Sequence, residues 1–139
     1  MYKRPSKDRY YLNIAKAVAA RSTCLRRQYG AVIVKDDIIL STGYNGAPRG
    51  TANCCDVGTC LRQELNIPSG ERYELCKSVH AEQNAIIQAG FEKTNGATLY
   101  LAGIQEGMDI IEPQCCEMCK RFIANAGILR VVNGEGELL

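Results

Sequence analysis

The chain has 139 residues, 46% of them hydrophobic, and a formal net charge of +2. That length suits one domain over residues 1–139 with a core of its own. A charge so near neutral gives no sign of a strongly basic surface, so neither nucleic acid nor an acidic membrane is expected as a partner. No apolar run reaches membrane-spanning length, and the opening MYKRPSKDRYY lacks the apolar stretch of a signal peptide, so a cytoplasmic protein is expected.

Ser6 is a good helix cap, and Tyr11, Ile14, Ala15 and Val18 recur on one helical face, which predicts a helix over residues 6–20. The run Ala31-Val32-Ile33-Val34 reads as a strand buried on both faces. Asp36-Asp37 turns the chain, and Ile38-Ile39-Leu40 returns as the second strand of a hairpin. The loop at 43–50, GYNGAPRG, is fixed in shape by its glycines and proline. From 51 to 78 no periodicity persists. An irregular stretch that long needs a restraint other than a core, and a metal would supply one.

Ala81, Ala85, Ile86 and Ala89 predict a helix over 79–89, closed by Gly90. Thr98-Leu99-Tyr100-Leu101 reads as a third strand. Residues 116–126 read as a third helix, with Met118 and Phe122 four apart, and residues 128–132 as a fourth strand. The tail at 133–139 is expected to fray. Strands alternating with helices after the hairpin predict parallel pairing beneath covering helices, an α/β fold in three layers.

Eight cysteines, Cys24, Cys54, Cys55, Cys60, Cys76, Cys115, Cys116 and Cys119, stand in a chain expected to be cytoplasmic. There disulfides are disfavoured, and metal ligation or catalysis is the better use of them. Cys116 and Cys119 are three apart, so a helical turn sets both sulfurs on one edge. With His80, the chain's only histidine, they offer three ligands for a tetrahedral zinc whose fourth position stays open. Glu82 then becomes the proton carrier. Two residues of regular helix is a rotation of roughly 200°, so His80 and Glu82 flank a common cavity only off a helix end.

RSTC at 21–24, GYNG at 43–46, VHAEQNAI at 79–86 and a CxxC leading into a helix that ends AGI at 126–128 together resemble the cytidine and deoxycytidylate deaminase family, most closely its deoxycytidylate (dCMP) branch. The likeness covers roughly residues 10–132. In the family a proline directly precedes the first zinc cysteine; here Gln114 and Cys115 intervene between Pro113 and Cys116.

The resemblance implies a three-layer α/β/α fold around a mixed sheet. It also implies hydrolytic deamination of dCMP to dUMP and ammonia by a zinc-activated water, supplying dUMP for thymidylate synthesis. His80, Cys116 and Cys119 would hold the catalytic zinc, with Glu82 shuttling protons. Asn45 would hydrogen-bond the sugar, although an Asn-Gly turn explains it equally well. The backbone N–H of Ala81 would bind the pyrimidine carbonyl. Arg49 is favoured for the 5′-phosphate, with Arg21, Arg26 and Arg121 as other candidates. Cys24, Cys54, Cys60 and Cys76 would close a second, structural zinc site, with Cys55 able to replace Cys54. A homo-oligomer, and regulation by dCTP and dTTP, also follow from the resemblance. The competing functions are deamination of another base, such as cytidine, cytosine or tRNA adenosine, and a zinc-binding module without chemistry.

Overall fold

The computed structural model describes residues 2–68 and 70–134; the tail expected to fray lies, from 135 on, outside the described residues. Its centre is β1 (Arg27–Lys35), which starts four residues earlier than the apolar run alone predicts. Side chains alternate across a strand. Ala31 and Ile33 therefore enter one core cluster while Val32 and Val34 enter another on the opposite face. Two left-handed aspartates, Asp36 at φ 53° and Asp37 at φ 61°, make the tight turn into β2 (Ile38–Tyr44).

One face of the sheet is covered by α1 (Lys7–Ala19), capped by Ser6, whose hydroxyl accepts the Arg9 N–H at 3.1 Å. Tyr11, Leu12 and Ala15 pack there against Val32, Val34, Tyr100 and Val132. The Asp8 carboxylate fastens the start of α1 by accepting from Arg130 at 2.6 Å and from the Tyr100 hydroxyl at 2.8 Å. The opposite face carries α4 (Ala81–Ala89), the short α5 (Phe91–Thr94) and α6 (Glu117–Asn125). Between β2 and α4 lie two four-residue helices, α2 (Cys54–Val57) and α3 (Leu61–Glu64), and one 3-10 turn at Tyr73–Leu75. No helix among the described residues is long and apolar enough to cross a membrane.

The sheet is mixed, as the resemblance implies. β3 (Thr98–Gln105) hydrogen-bonds antiparallel to β1 along its whole length, from Arg27↔Gln105 to Val34↔Thr98. The crossover through α4 carries the chain over β1 to its far side, so β2 and β3 run the same way with β1 between them. The parallel pairing expected after the hairpin therefore does not hold between β2 and β3, which are not neighbours; it holds between β3 and β5 (Arg130–Val132). A two-residue β4 (Met108–Asp109) takes the other end of the same β3 edge.

Helix α6 also turns differently from the apolar pair noted in the sequence. Met118 and Phe122 are exposed, while Cys119 and Ile123 are buried on the sheet side with Ala126. A helix has one inward face, and here it is the face that carries Cys119.

α4 lies unusually close to β2. A Cβ on Gly43 would sit 2.4 Å from the Ala85 nitrogen and 2.5 Å from the Ala81 oxygen, both backbone atoms that cannot swing away. The Ser41 hydroxyl donates to the Ala85 carbonyl at 2.7 Å across the same seam. Gly43→Ala is expected to force the helix off the sheet and to cost about 1–3 kcal/mol of stability, read as a lower midpoint in urea. An unchanged midpoint would mean the seam is looser than these distances imply.

Candidate active site

Two helix starts meet at one point. His80 is the N-cap of α4, in extended conformation, with its N–H held by the Gln83 side chain at 3.0 Å. Cys116 is the N-cap of α6, and its sulfur accepts the Cys119 N–H at 3.3 Å. Because His80 sits outside the helix proper and Glu82 in its first turn, both reach the space beyond the helix end. Unpaired backbone N–H groups at each start favour negative charge there, whether thiolate or carboxylate.

His80 Nδ1 lies 3.2 Å from Cys119 Sγ and 3.5 Å from Cys116 Sγ, and the three ligand atoms all fall within 4.8 Å of one another. A tetrahedral zinc with Zn–S near 2.3 Å and Zn–N near 2.0 Å holds such ligands about 3.5 Å apart. Burial, with the charges of Glu82 and Cys116, pushes the Cys119 thiol well up. A thiol as buried as that of Cys119 stays protonated unless a cation joins it. The donor set fits zinc on both counts.

Glu82 is 4% exposed, and its charge acts on the thiols of Cys119 and Cys115. Burial, and next the charge of Glu82, also raise the Cys115 thiol. Cys115 is thus a buried neighbour of the carboxylate, where the sequence marks it only as one of eight cysteines and as a residue between Pro113 and Cys116.

His80, Glu82, Cys115 and Cys116 line a cavity of about 460 Å³. Ala81 lines it at the first position of α4, where its N–H has no partner within the helix. Asn45 lines it too, but is 7% exposed and largely engaged by protein. Its Oδ1 accepts the Tyr29 N–H at 2.8 Å and lies 2.5 Å from Ser22 Oγ, while Nδ2 donates to the Arg27 carbonyl at 2.9 Å. One amide hydrogen remains for a ligand. Next in the chain, Gly46 bridges to Val79, with N–H···O distances of 3.1 and 2.7 Å, and so fixes the approach to His80.

The arginines fall out differently from the sequence preference. Arg49 is exposed, on a turn closed by the Thr51 N–H to the Pro48 carbonyl at 3.1 Å, and does not line the cavity; Arg21 and Arg121 are exposed as well. Arg26, Arg27 and Arg62 do line it. The buried Nε of Arg27 has no hydrogen-bond partner. Strand alternation puts Arg27 on the same face as Tyr29 and Ala31, a signal available in the sequence only if β1 is extended back to residue 27.

Cys24, Cys60 and Cys76 line the same cavity, all half-buried. Burial raises the Cys54 thiol, and the charges of Cys24, Cys60 and Cys76 add to that. Cys55 is exposed. Among the described residues, His80, Cys116 and Cys119 are the one group whose ligand atoms come together as closely as a metal requires.

Comparison with known proteins agrees with this geometry. The family model "Cytidine and deoxycytidylate deaminase zinc-binding region" matches residues 5–135. The deoxycytidylate deaminase of Mycobacterium phage D29 is 43% identical over 134 residues, covering 93% of this chain and 94% of that one. That of Schizosaccharomyces pombe is 42% identical over 130 residues; the match covers 93% of this chain and 37% of the yeast protein. Among solved structures, the dCMP deaminase of cyanophage S-TIM5 in complex with dCMP and dUMP superposes with a TM-score of 0.63 at 27% identity, covering 94% of this chain and 82% of that one. With a family match running nearly end to end, and a histidine and two cysteines gathered at two helix starts, this chain belongs to the cytidine and deoxycytidylate deaminase family.

Proposed function

We propose that this protein is a dCMP deaminase: it replaces the C4 amine of dCMP by oxygen from water, releasing dUMP and ammonia. The observation that carries the reading is a buried carboxylate, Glu82, beside a His/Cys/Cys cluster and lining a cavity whose walls also hold three arginines. His80, Cys116 and Cys119 hold the zinc. When bound, zinc supplies the acidity that makes a water nucleophilic near neutral pH. Glu82 takes the proton that water loses, delivers it to N3 of the base, and later protonates the departing amine. Ala81 offers its N–H to the pyrimidine carbonyl, and Asn45 its remaining amide hydrogen to the sugar.

The 5′-phosphate falls to Arg27, with Arg26 beside it, rather than to Arg49. A buried guanidinium nitrogen without a partner is costly unless a ligand satisfies it. A charge-assisted contact is worth about 1.5–3 kcal/mol, or roughly ten- to a hundred-fold in affinity. Arg27→Ala is therefore expected to raise KM for dCMP by about that factor while leaving KM for deoxycytidine alone. An equal change for both substrates, or none, would remove Arg27 from the phosphate site.

Cys24, Cys54, Cys60 and Cys76 are assigned to a second, structural zinc. Their shared half-burial and mutual influence support this, and the exposure of Cys55 favours Cys54 as the fourth ligand. A homo-oligomer is supported by Ile87 and Phe91, large apolar side chains 72% and 67% exposed on α4 and α5. A cytoplasmic location suits eight cysteines of which none is paired in a disulfide.

A further inference from the structure

We propose that Tyr29 is a base-binding residue of this site, its ring forming the stacking wall for the pyrimidine; the inference rests on the nucleotide reading above. Among the described residues, Tyr29 is the one Phe, Tyr or Trp lining the cavity. It shares a strand face with Ala31 and Ile33, and packs against the same core cluster as Ala81 and Cys119. Its backbone is bound to Asn45, whose side chain accepts its N–H at 2.8 Å and whose N–H donates to its carbonyl at 3.3 Å. Through Asn45, Gly46 and the bridge to Val79, the Tyr29 backbone is tied to the segment that leads into His80, and both side chains line the same cavity.

The neighbouring strand is cut away to receive the ring. Tyr29 pairs with Gly103 on β3. A Cβ there would lie 3.0 Å from Tyr29 Cδ1, 3.0 Å from Cε1 and 3.0 Å from Ile110 Cδ1. Glycine lets the ring settle across β3 beside Ile110, which also lines the cavity. With Ala81 and Pro113, these residues give the cavity an apolar wall suited to a flat heteroaromatic ring. An aromatic face stacks on any base, so the wall contributes affinity for the ring itself.

The test compares dUMP with 2-deoxyribose 5-phosphate, which has no base, by calorimetry on zinc-loaded protein. Tyr29→Leu should weaken dUMP about 5- to 100-fold and leave 2-deoxyribose 5-phosphate unchanged. Tyr29→Phe should keep wild-type dUMP affinity, and Gly103→Ala, which crowds the ring without removing it, should weaken dUMP to a smaller degree. Equal weakening of both ligands by Tyr29→Leu would show that Tyr29 acts only through the architecture around Asn45 and would overturn the proposal. So would an unchanged dUMP affinity, or a loss in Tyr29→Phe as large as in Tyr29→Leu. Wild-type protein that binds neither ligand would sink the nucleotide reading along with the wall; wild-type binding with an unaffected Tyr29→Leu sinks the wall alone.

Discussion

Glu82→Gln is expected to abolish nearly all turnover while leaving the fold and the zinc in place. The amide matches the carboxylate in shape but cannot accept a proton and return it. General acid–base catalysis of this kind contributes roughly 10²–10⁴-fold, and the loss should fall in kcat rather than KM. Glu82 is outside the His80/Cys116/Cys119 ligand set, so zinc content should not change. Its burial at 4% exposure makes Gln the right substitution, since a smaller residue would open a cavity beside the thiols. A variant that turned over at the wild-type rate would show that Glu82 carries no proton.

The second large effect concerns the segment between β2 and α4. Among the described side chains from 47 to 80, Arg62 alone is buried, and it serves as a brace, donating to the Pro68 and Glu71 carbonyls at 2.9 Å each. Such a segment has no apolar core to hold it. If four cysteines close on a zinc there, native mass spectrometry should find two zincs per chain. Cys60→Ala should then lose one of them and lower Tm by roughly 5–15 °C, on a stabilisation of a few kcal/mol. One zinc in the wild type, with unchanged melting of Cys60→Ala, would dismiss the second site.

Much of this was legible in the sequence because the relevant signals are local. Ser6, the 31–34 run, the two aspartates and Gly90 each act over a few residues, and the elements they predict are present. The pairing of β1 with β3 was not legible, because helix–strand alternation fixes the direction of successive strands but not whether another strand lies between them. Arg49 was favoured for its nearness in sequence to Asn45, yet the Pro48 turn carries it outward. Arg27 and Tyr29 were hidden by the boundary of β1. Polar residues at its start gave no apolar signal, and only the ladder with β3 shows that they are strand residues facing the cavity. The contact between Cys115 and Glu82 depends on how α6 meets α4, which no short-range pattern records.

The most direct measurement is turnover by the zinc-loaded wild-type protein on a panel of dCMP, CMP, deoxycytidine, cytosine and adenosine, followed by ultraviolet absorbance and by ammonia release. The account predicts that dCMP is converted to dUMP with equimolar ammonia, well ahead of deoxycytidine, and that chelation of zinc stops the reaction. Absence of turnover on dCMP, or a preference for an unphosphorylated base or nucleoside, would contradict it.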